Sequence, residues 1–230
     1  FLLPSSFFLL PSSFFLLQKH TKLQSLTLSL QTLTFIPNEH SIQMTKKEKI
    51  LDTMLQLIAE RGVHDTPMSL ISKVSGVATG TIYHHFSSKE KILVELYLGL
   101  KAELGRITQN ALTQDIGFKE KLNTFWVDLF QYYIKHPLKF QFGEQIINTP
   151  IIDEETTLKG KEFYQPAIDF LAEGIRSQQI RTINLRLLSE MIYSNIGTLV
   201  KIHINDKDLQ SVDHDMVQEA FDIIWKGIKA

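Results

Sequence analysis

Residues 66–93, TPMSLISKVSGVATGTIYHHFSSKEKIL, decide how this chain is read. Thr66-Pro67 is a helix start, with the threonine placed to cap free amides and the proline tolerated at the first helical position. A short helix predicted over 68–74 would bury Leu70, Ile71 and Val74. Gly76 falls where a tight turn needs a residue without a Cβ. A second short helix is predicted over 79–85, and Ser87-Ser88 offer caps for a third that opens with Lys89, Glu90 and Lys91. Short helix, glycine turn, short helix is the pattern of a helix-turn-helix, which sets its second helix in the major groove of DNA.

Upstream, a helix over 45–61 gathers Ile50, Leu51, Met54, Leu55, Leu57 and Ile58 on one face and stops at Gly62, a residue suited to a left-handed cap. The stretch resembles the DNA-binding segment of the TetR family of bacterial repressors. It matches most of that family's pattern T-x-x-x-x-I-A-x-x-A-G-V-S-x-G-T-x-Y-x-H-F-x-S-K-E, through Gly76, Gly80, Thr81, Tyr83, His85, Phe86, Ser88, Lys89 and Glu90. Two positions depart from it. Ala78 stands where the family has a serine cap, and Ser72 where it has alanine. Losing a cap costs about 1 kcal/mol, so Thr79 is expected to cap instead and start the helix one residue later.

The resemblance implies that the segment from Gly80 to Tyr83 lies against DNA. Gly80 would let the backbone approach, Thr81 would bond a phosphate or base edge, Tyr83 would donate to a phosphate, and Ile82 would face the core. Thr79 and His84, at variable exposed positions of the pattern, are expected to contact bases. Lys89 is expected to clamp a phosphate at the start of its helix, and Thr66 and Ser69 to bond the phosphate backbone. A purely structural reading stands beside this one: Tyr83 fits equally as a core aromatic, Phe86 reads as core and His85 as a packed histidine.

Charge agrees with a single DNA-facing end. The chain carries a net charge of −1, yet residues 44–93 hold seven Lys/Arg against five Asp/Glu, and residues 94–230 fifteen against nineteen. A mildly basic head on an acidic body suits contact with phosphates at one end. The chain has no cysteine, which excludes disulfides, zinc–thiolate sites and thiol catalysis and fits a cytoplasmic location. It has no Gly-rich phosphate loop, no H-E-x-x-H and no G-x-S-x-G. The acidic run beginning at Asp206 fails as a calcium loop because Ser211 and Val217 stand where glycine and glutamate are required. His136, His203 and His214 are scattered. Neither an enzyme nor a cofactor nor a metal is expected.

The first residues, FLLPSSFFLLPSSFFLL, repeat a seven-residue unit and carry no charge before Lys19. They lack the basic start of a secretory signal, and Pro4 and Pro11 interrupt any membrane span. Residues 1–43 are therefore read as a poorly ordered, non-native or artefactual leader, with the natural start at Met44 and no membrane association. Residues 44–92 are read as the helix-turn-helix domain and 93–230 as an all-α ligand-binding and dimerisation domain.

In that body, helices are predicted over 88–110, 118–135, 138–147, 153–178 (with a break near Pro166), 184–203 and 213–229, the last capped by Asp213. The last two have wide apolar stripes, and a homodimer interface built on Leu188, Ile192, Ile196, Leu199, Phe221, Ile224 and Trp225 would use the surplus. The resemblance implies the same arrangement, since TetR-like proteins pair through their two C-terminal helices. It also implies an effector pocket in the body, which Phe125, Trp126, Phe130, Tyr133 and Phe142 would line for an apolar or aromatic small molecule. The expected function is a dimeric repressor released from a palindromic double-stranded DNA operator by that ligand. The alternative is a helical scaffold or small-molecule-binding protein that has lost DNA binding.

Overall fold

Thr45 starts the first helix with a capping box. Its hydroxyl accepts from the Glu48 amide at 3.2 Å, and the Glu48 carboxylate accepts from the Thr45 amide at 2.7 Å. Helix α1 then runs Lys46–Arg61 and buries Ile50, Met54, Leu55, Leu57 and Ile58. The computed structural model describes residues 44–147, 149–205 and 212–230, so the expectation for the leader 1–43 lies outside the described residues. From Met44 onward the chain forms one unit.

Gly62 takes φ +84° and ψ 170°. The positive φ needs glycine, but the extended ψ differs from the expected left-handed cap, and the chain leaves α1 through a turn over residues 62–65. Thr66 is fully buried, and its hydroxyl donates to the Gly62 carbonyl at 3.0 Å, closing that turn on itself. Helix α2 spans Met68–Ser75, with Pro67 as its cap residue and no side chain capping it. Ile71 alone is fully enclosed. Val74, expected in the core, stands 49% exposed, because two helical turns give one enclosed seat against the head core and Val74 lies in the last of them. Gly76 turns the chain in the left-handed conformation at φ +68°, and helix α3 follows over Thr79–His85.

Helix α4, Lys89–Leu112, is one uninterrupted element across the expected boundary between 92 and 93. Its first turns close the head core with Ile92 and Leu93, and its later turns bury Tyr97, Leu100 and Leu104 in the body. Around it pack α5, Phe118–Lys135, α6, Pro137–Ile146, and α7, Glu154–Arg176, while α1 also rests on α6. Helix α7 runs straight through Pro166 where a break was expected. A proline inside a helix costs about 3 kcal/mol, and the long packing of α7 along α4 offsets that cost. The two helices touch closely at Gly105, where an added Cβ would come within 2.7 Å of the Phe163 carbonyl oxygen.

Helices α8, Leu185–Asn205, and α9, His214–Ile228, close the body, and the Asp213 carboxylate caps α9 by accepting from the Met216 amide at 2.9 Å. Here the expected dimer contacts need correction. Leu188, Ile192, Ile196 and Leu199 are buried within the chain on α8, which packs on α5, and Phe221 meets Trp126 edge-on at 5.8 Å. They are spent in the chain's own core. Ile224 and Trp225 are half-buried beside it. The outward apolar positions are Leu187, Met191 and Ile202 on α8 and Met216 and Ile223 on α9. Among the described residues there is no β-strand, only an isolated bridge between Ile180 and Lys229.

Candidate nucleic-acid interface and effector cavity

The head presents α3 outward on a firm base. Ile82 is fully buried and Phe86 is nearly so, which pins the helix and turns its opposite face to solvent. That face carries Thr79, Gly80, Tyr83, His84 and His85, with Tyr83 51% exposed. Tyr83 is thus a surface aromatic, and His85 is exposed where packing was expected. Thr81 is half-buried at the edge of the face. No side chain lies within 4 Å of a Cβ built at Gly80, so the backbone there is open to a close partner.

The start of α3 differs from the expectation. Ala78 is its cap residue, its carbonyl accepting from the Ile82 amide at 3.0 Å, and Thr79 is the first helical residue instead of the cap. The other departure from the family pattern has a structural use: the Ser72 hydroxyl donates to the Val77 carbonyl at 2.8 Å, and the Ser75 hydroxyl accepts from the Val77 amide at 3.2 Å. These bonds satisfy turn groups that an alanine would leave to water.

Beside α3, Ser69 on α2 is exposed and Lys73, one turn further along α2, is exposed as well. Lys73 was missed by the sequence reading, although its spacing of four from Ser69 puts both on one face of α2. Two expected phosphate ligands are engaged elsewhere. Thr66 is buried and bonded to Gly62, which corrects its assignment as a DNA contact. The Lys89 ammonium donates to the His64 carbonyl at 3.2 Å, tying the α1–α2 connection to the start of α4.

In the body, a cavity of about 550 Å³ opens between α4, α5, α6, α7 and α8. Leu100, Leu104, Tyr133, Phe140 and Ile168 supply its apolar wall, and Lys101, Glu144, Glu190, Tyr97, Tyr164 and Tyr193 its polar one. Gly143 and Gly197 leave the room that larger residues would fill. Burial pushes the Tyr193 hydroxyl up to about 12, with Tyr164 and Glu190 adding to the effect, and burial likewise raises Tyr133. These phenols are therefore neutral hydrogen-bond groups at physiological pH.

Of the residues expected to line an effector pocket, Tyr133 lines this cavity. Phe125 lines a narrower neighbouring cleft bounded by Leu112, Leu122 and Leu171, which shares Ile168, Ser189 and Tyr193 with the lining of the cavity. Trp126, Phe130 and Phe142 line neither, and each is 1% exposed: Trp126 packs on Phe221, and Phe130 on His203 with ring centroids 6.2 Å apart. Those three are core aromatics, which corrects their assignment. Lys101, Tyr97, Tyr164 and Glu190 were missed, since each alone reads as an ordinary helix residue.

Below the cavity, the Glu103 carboxylate on α4 accepts from Lys139 on α6 and from the Tyr132 hydroxyl on α5, joining three helices. Burial alone would raise its pKa. The bonds from Lys139 and Tyr132 and the lysine's charge outweigh that and hold it below the usual carboxylate range.

Residues 50–96 match the family of bacterial regulatory proteins named for tetR. The chain is 27% identical over 179 residues to the fatty acid metabolism regulator protein of Bacillus subtilis, covering 75% of this chain and 92% of that protein. The structure of the transcriptional regulator FadR from Bacillus subtilis in complex with stearoyl-CoA superposes with a TM-score of 0.63 at 25% identity, over 78% of this chain and 98% of that one. A TetR family transcription regulator from Marinobacter aquaeolei gives a TM-score of 0.73 at 18% identity, over 80% and 95% of the two chains, a likeness of fold. Residues 50–96, which carry the exposed α3 and its Ile82–Phe86 base, thus match the DNA-binding segment of the tetR family of bacterial regulatory proteins, and the chain as a whole resembles regulators of that family in sequence and fold.

Proposed function

We propose that this protein is a homodimeric repressor that holds a palindromic operator through α2 and α3 and lets go when a small molecule with a long apolar part fills the cavity of the body. One observation carries the reading. Helix α4 bears the head at its start, through Lys89, Ile92 and Leu93, and a wall of the cavity at its middle, through Tyr97, Leu100, Lys101 and Leu104. An occupant that moves this helix moves the head with it. An effector that binds better to the arrangement with misplaced heads draws the dimer away from DNA by its difference in affinity.

On the DNA side, Thr79, Gly80, Thr81, Tyr83 and His84 of α3 meet the groove, and Ser69 and Lys73 of α2 meet phosphates. On the effector side, the Bacillus subtilis regulator bound to stearoyl-CoA is the relative whose ligand this cavity suits, so an aliphatic acyl chain is the effector class proposed here. A regulator of genomic DNA works in the cytoplasm of its bacterium, and no helix among the described residues is long and apolar enough to cross a membrane.

Selection of genomic fragments by the full chain, with Tyr83→Ala in parallel, tests the reading. The wild type should enrich a short palindrome and the variant should not. Failure of both to enrich anything at low salt would move the scaffold reading to first place. The salt dependence of duplex binding separates the two as well, because each phosphate contact adds about −0.9 to the log–log slope.

A further inference from the structure

The charges in the cavity are unevenly paired. Lys201 makes an ion pair with Glu144 on its wall. Lys101, in the middle of α4, has no carboxylate within 4.0 Å and no hydrogen-bond acceptor among the described residues. The faces of Tyr97 and Tyr164 hold its ammonium instead, with ring centroids 5.4 and 5.5 Å from Nζ. Burial draws its pKa below the ordinary lysine value, and the charge of Glu190 across the cavity offsets part of that. Tyrosine faces steady a cation without neutralising it. A half-buried ammonium that feels Glu190 only at a distance, with no carboxylate bonded to it, keeps its direct hydrogen-bonding capacity for an anion.

The rest of the cavity gives this charge a direction. Ile168, Ser189 and Tyr193 also line a tight apolar cleft of about 10 Å³, walled by Leu112, Leu122, Phe125 and Leu171. The hydroxyls of Thr108 and Ser189 in that cleft are already committed, donating to the Leu104 and Arg186 carbonyls at 2.9 Å each. A cation beside the apolar wall of Leu100, Leu104, Phe140 and Ile168, on the side that leads toward that cleft, describes a molecule with an anionic head and an apolar tail. Gly160 fixes the head end, since a Cβ there would come 2.9 Å from the Tyr97 hydroxyl and push that ring off the ammonium.

We propose that Lys101, set between Tyr97 and Tyr164, reads the carboxylate of a free aliphatic acid whose chain runs toward the Phe125 cleft. This deepens the effector reading given above and rests on it. It differs from that reading in placing the recognised charge inside the body, next to the chain, and in naming the free acid over its thioester.

Calorimetric titration of the full chain with stearate, octadecanol and stearoyl-CoA, each below its micellar concentration, tests this with the wild type, Lys101→Met and Lys101→Arg. A charge-assisted bond to the head should make stearate bind roughly ten- to a hundredfold more tightly than octadecanol in the wild type. Lys101→Met should erase that preference while still binding octadecanol, which shows that the cavity is intact, and Lys101→Arg should keep it. Equal binding of acid and alcohol by the wild type, or a preference that survives Lys101→Met, overturns the assignment of the head and leaves the cavity as effector site. Binding of stearoyl-CoA alone, indifferent to Lys101, overturns it in the same way. A wild type that binds none of the three overturns the effector reading together with it.

Discussion

Thr66 and Ser69 lie three residues apart in the quoted stretch and do different work, which burial decides. Thr66 has no exposure and donates to Gly62, whereas Ser69 faces solvent on α2. Thr66→Val should cost about 1–3 kcal/mol of stability by leaving a buried carbonyl unbonded, seen as a lower midpoint in urea, with operator affinity unchanged in the folded fraction. Ser69→Ala should do the reverse. Tyr83→Phe belongs with Ser69: with half its surface open it should leave the melting temperature where it is and weaken operator binding roughly three- to tenfold, the worth of one neutral hydrogen bond. A drop in melting temperature would instead make Tyr83 part of the head core. The sequence could name these positions because the spacing of Gly76, Gly80, Thr81 and Tyr83 belongs to one motif. It could not tell a buried hydroxyl from an exposed one, since Thr66 owes its burial to the turn over residues 62–65 that folds it back onto Gly62, a feature with no residue pattern of its own.

Whole elements were read best where local signals agreed. The spans of α3 and α5 follow from their flanking turns and helical periodicity, and Asp213 marks the start of α9 by its cap. Pro166 misled for an equally physical reason. Its local cost is real, but α7 lies along α4 for its length and the packing outweighs a single missing hydrogen bond. Tertiary pairing also hides the Glu103–Lys139–Tyr132 joint, whose members sit on three helices. That joint has a pH signature. A carboxyl held below its usual pKa adds stability that is complete above the unfolded value of about 4.3 and is lost as pH falls through the lower folded value. Glu103→Gln should therefore be less stable than the wild type at about pH 6, with the gap closing toward about pH 3. A gap of constant size across that range would show that the carboxylate's charge adds nothing. Because α1 rests on α6, loosening this joint should also change how strongly an effector releases DNA.

At the scale of the whole molecule, hydrophobic periodicity reports which face of a helix is buried and not what buries it. This is why Leu188, Ile192, Ile196, Leu199 and Phe221, the strongest apolar rows of α8 and α9, belong to the chain's own core. The apolar positions left outside are fewer and more interrupted: Leu187, Met191 and Ile202 along α8, and Met216 and Ile223 along α9, with the small Ala220 and Gly227 in the same row of α9. Small residues beside large ones let two helices approach and interlock, and two such helices from each of two chains make a four-helix contact. A repressor needs this contact, because one head reads few base pairs and two heads held a fixed distance apart read a palindrome. Met191→Glu combined with Ile223→Glu should place carboxylates at the centre of that contact without touching the buried core. By sedimentation the variant should be a folded monomer at concentrations where the wild type is a dimer, and its affinity for a full palindrome should fall to that for a half-site. If the double variant stays dimeric with its operator affinity intact, the pairing surface lies elsewhere. If it becomes monomeric but keeps its preference for the full palindrome, the two heads do not act through this contact.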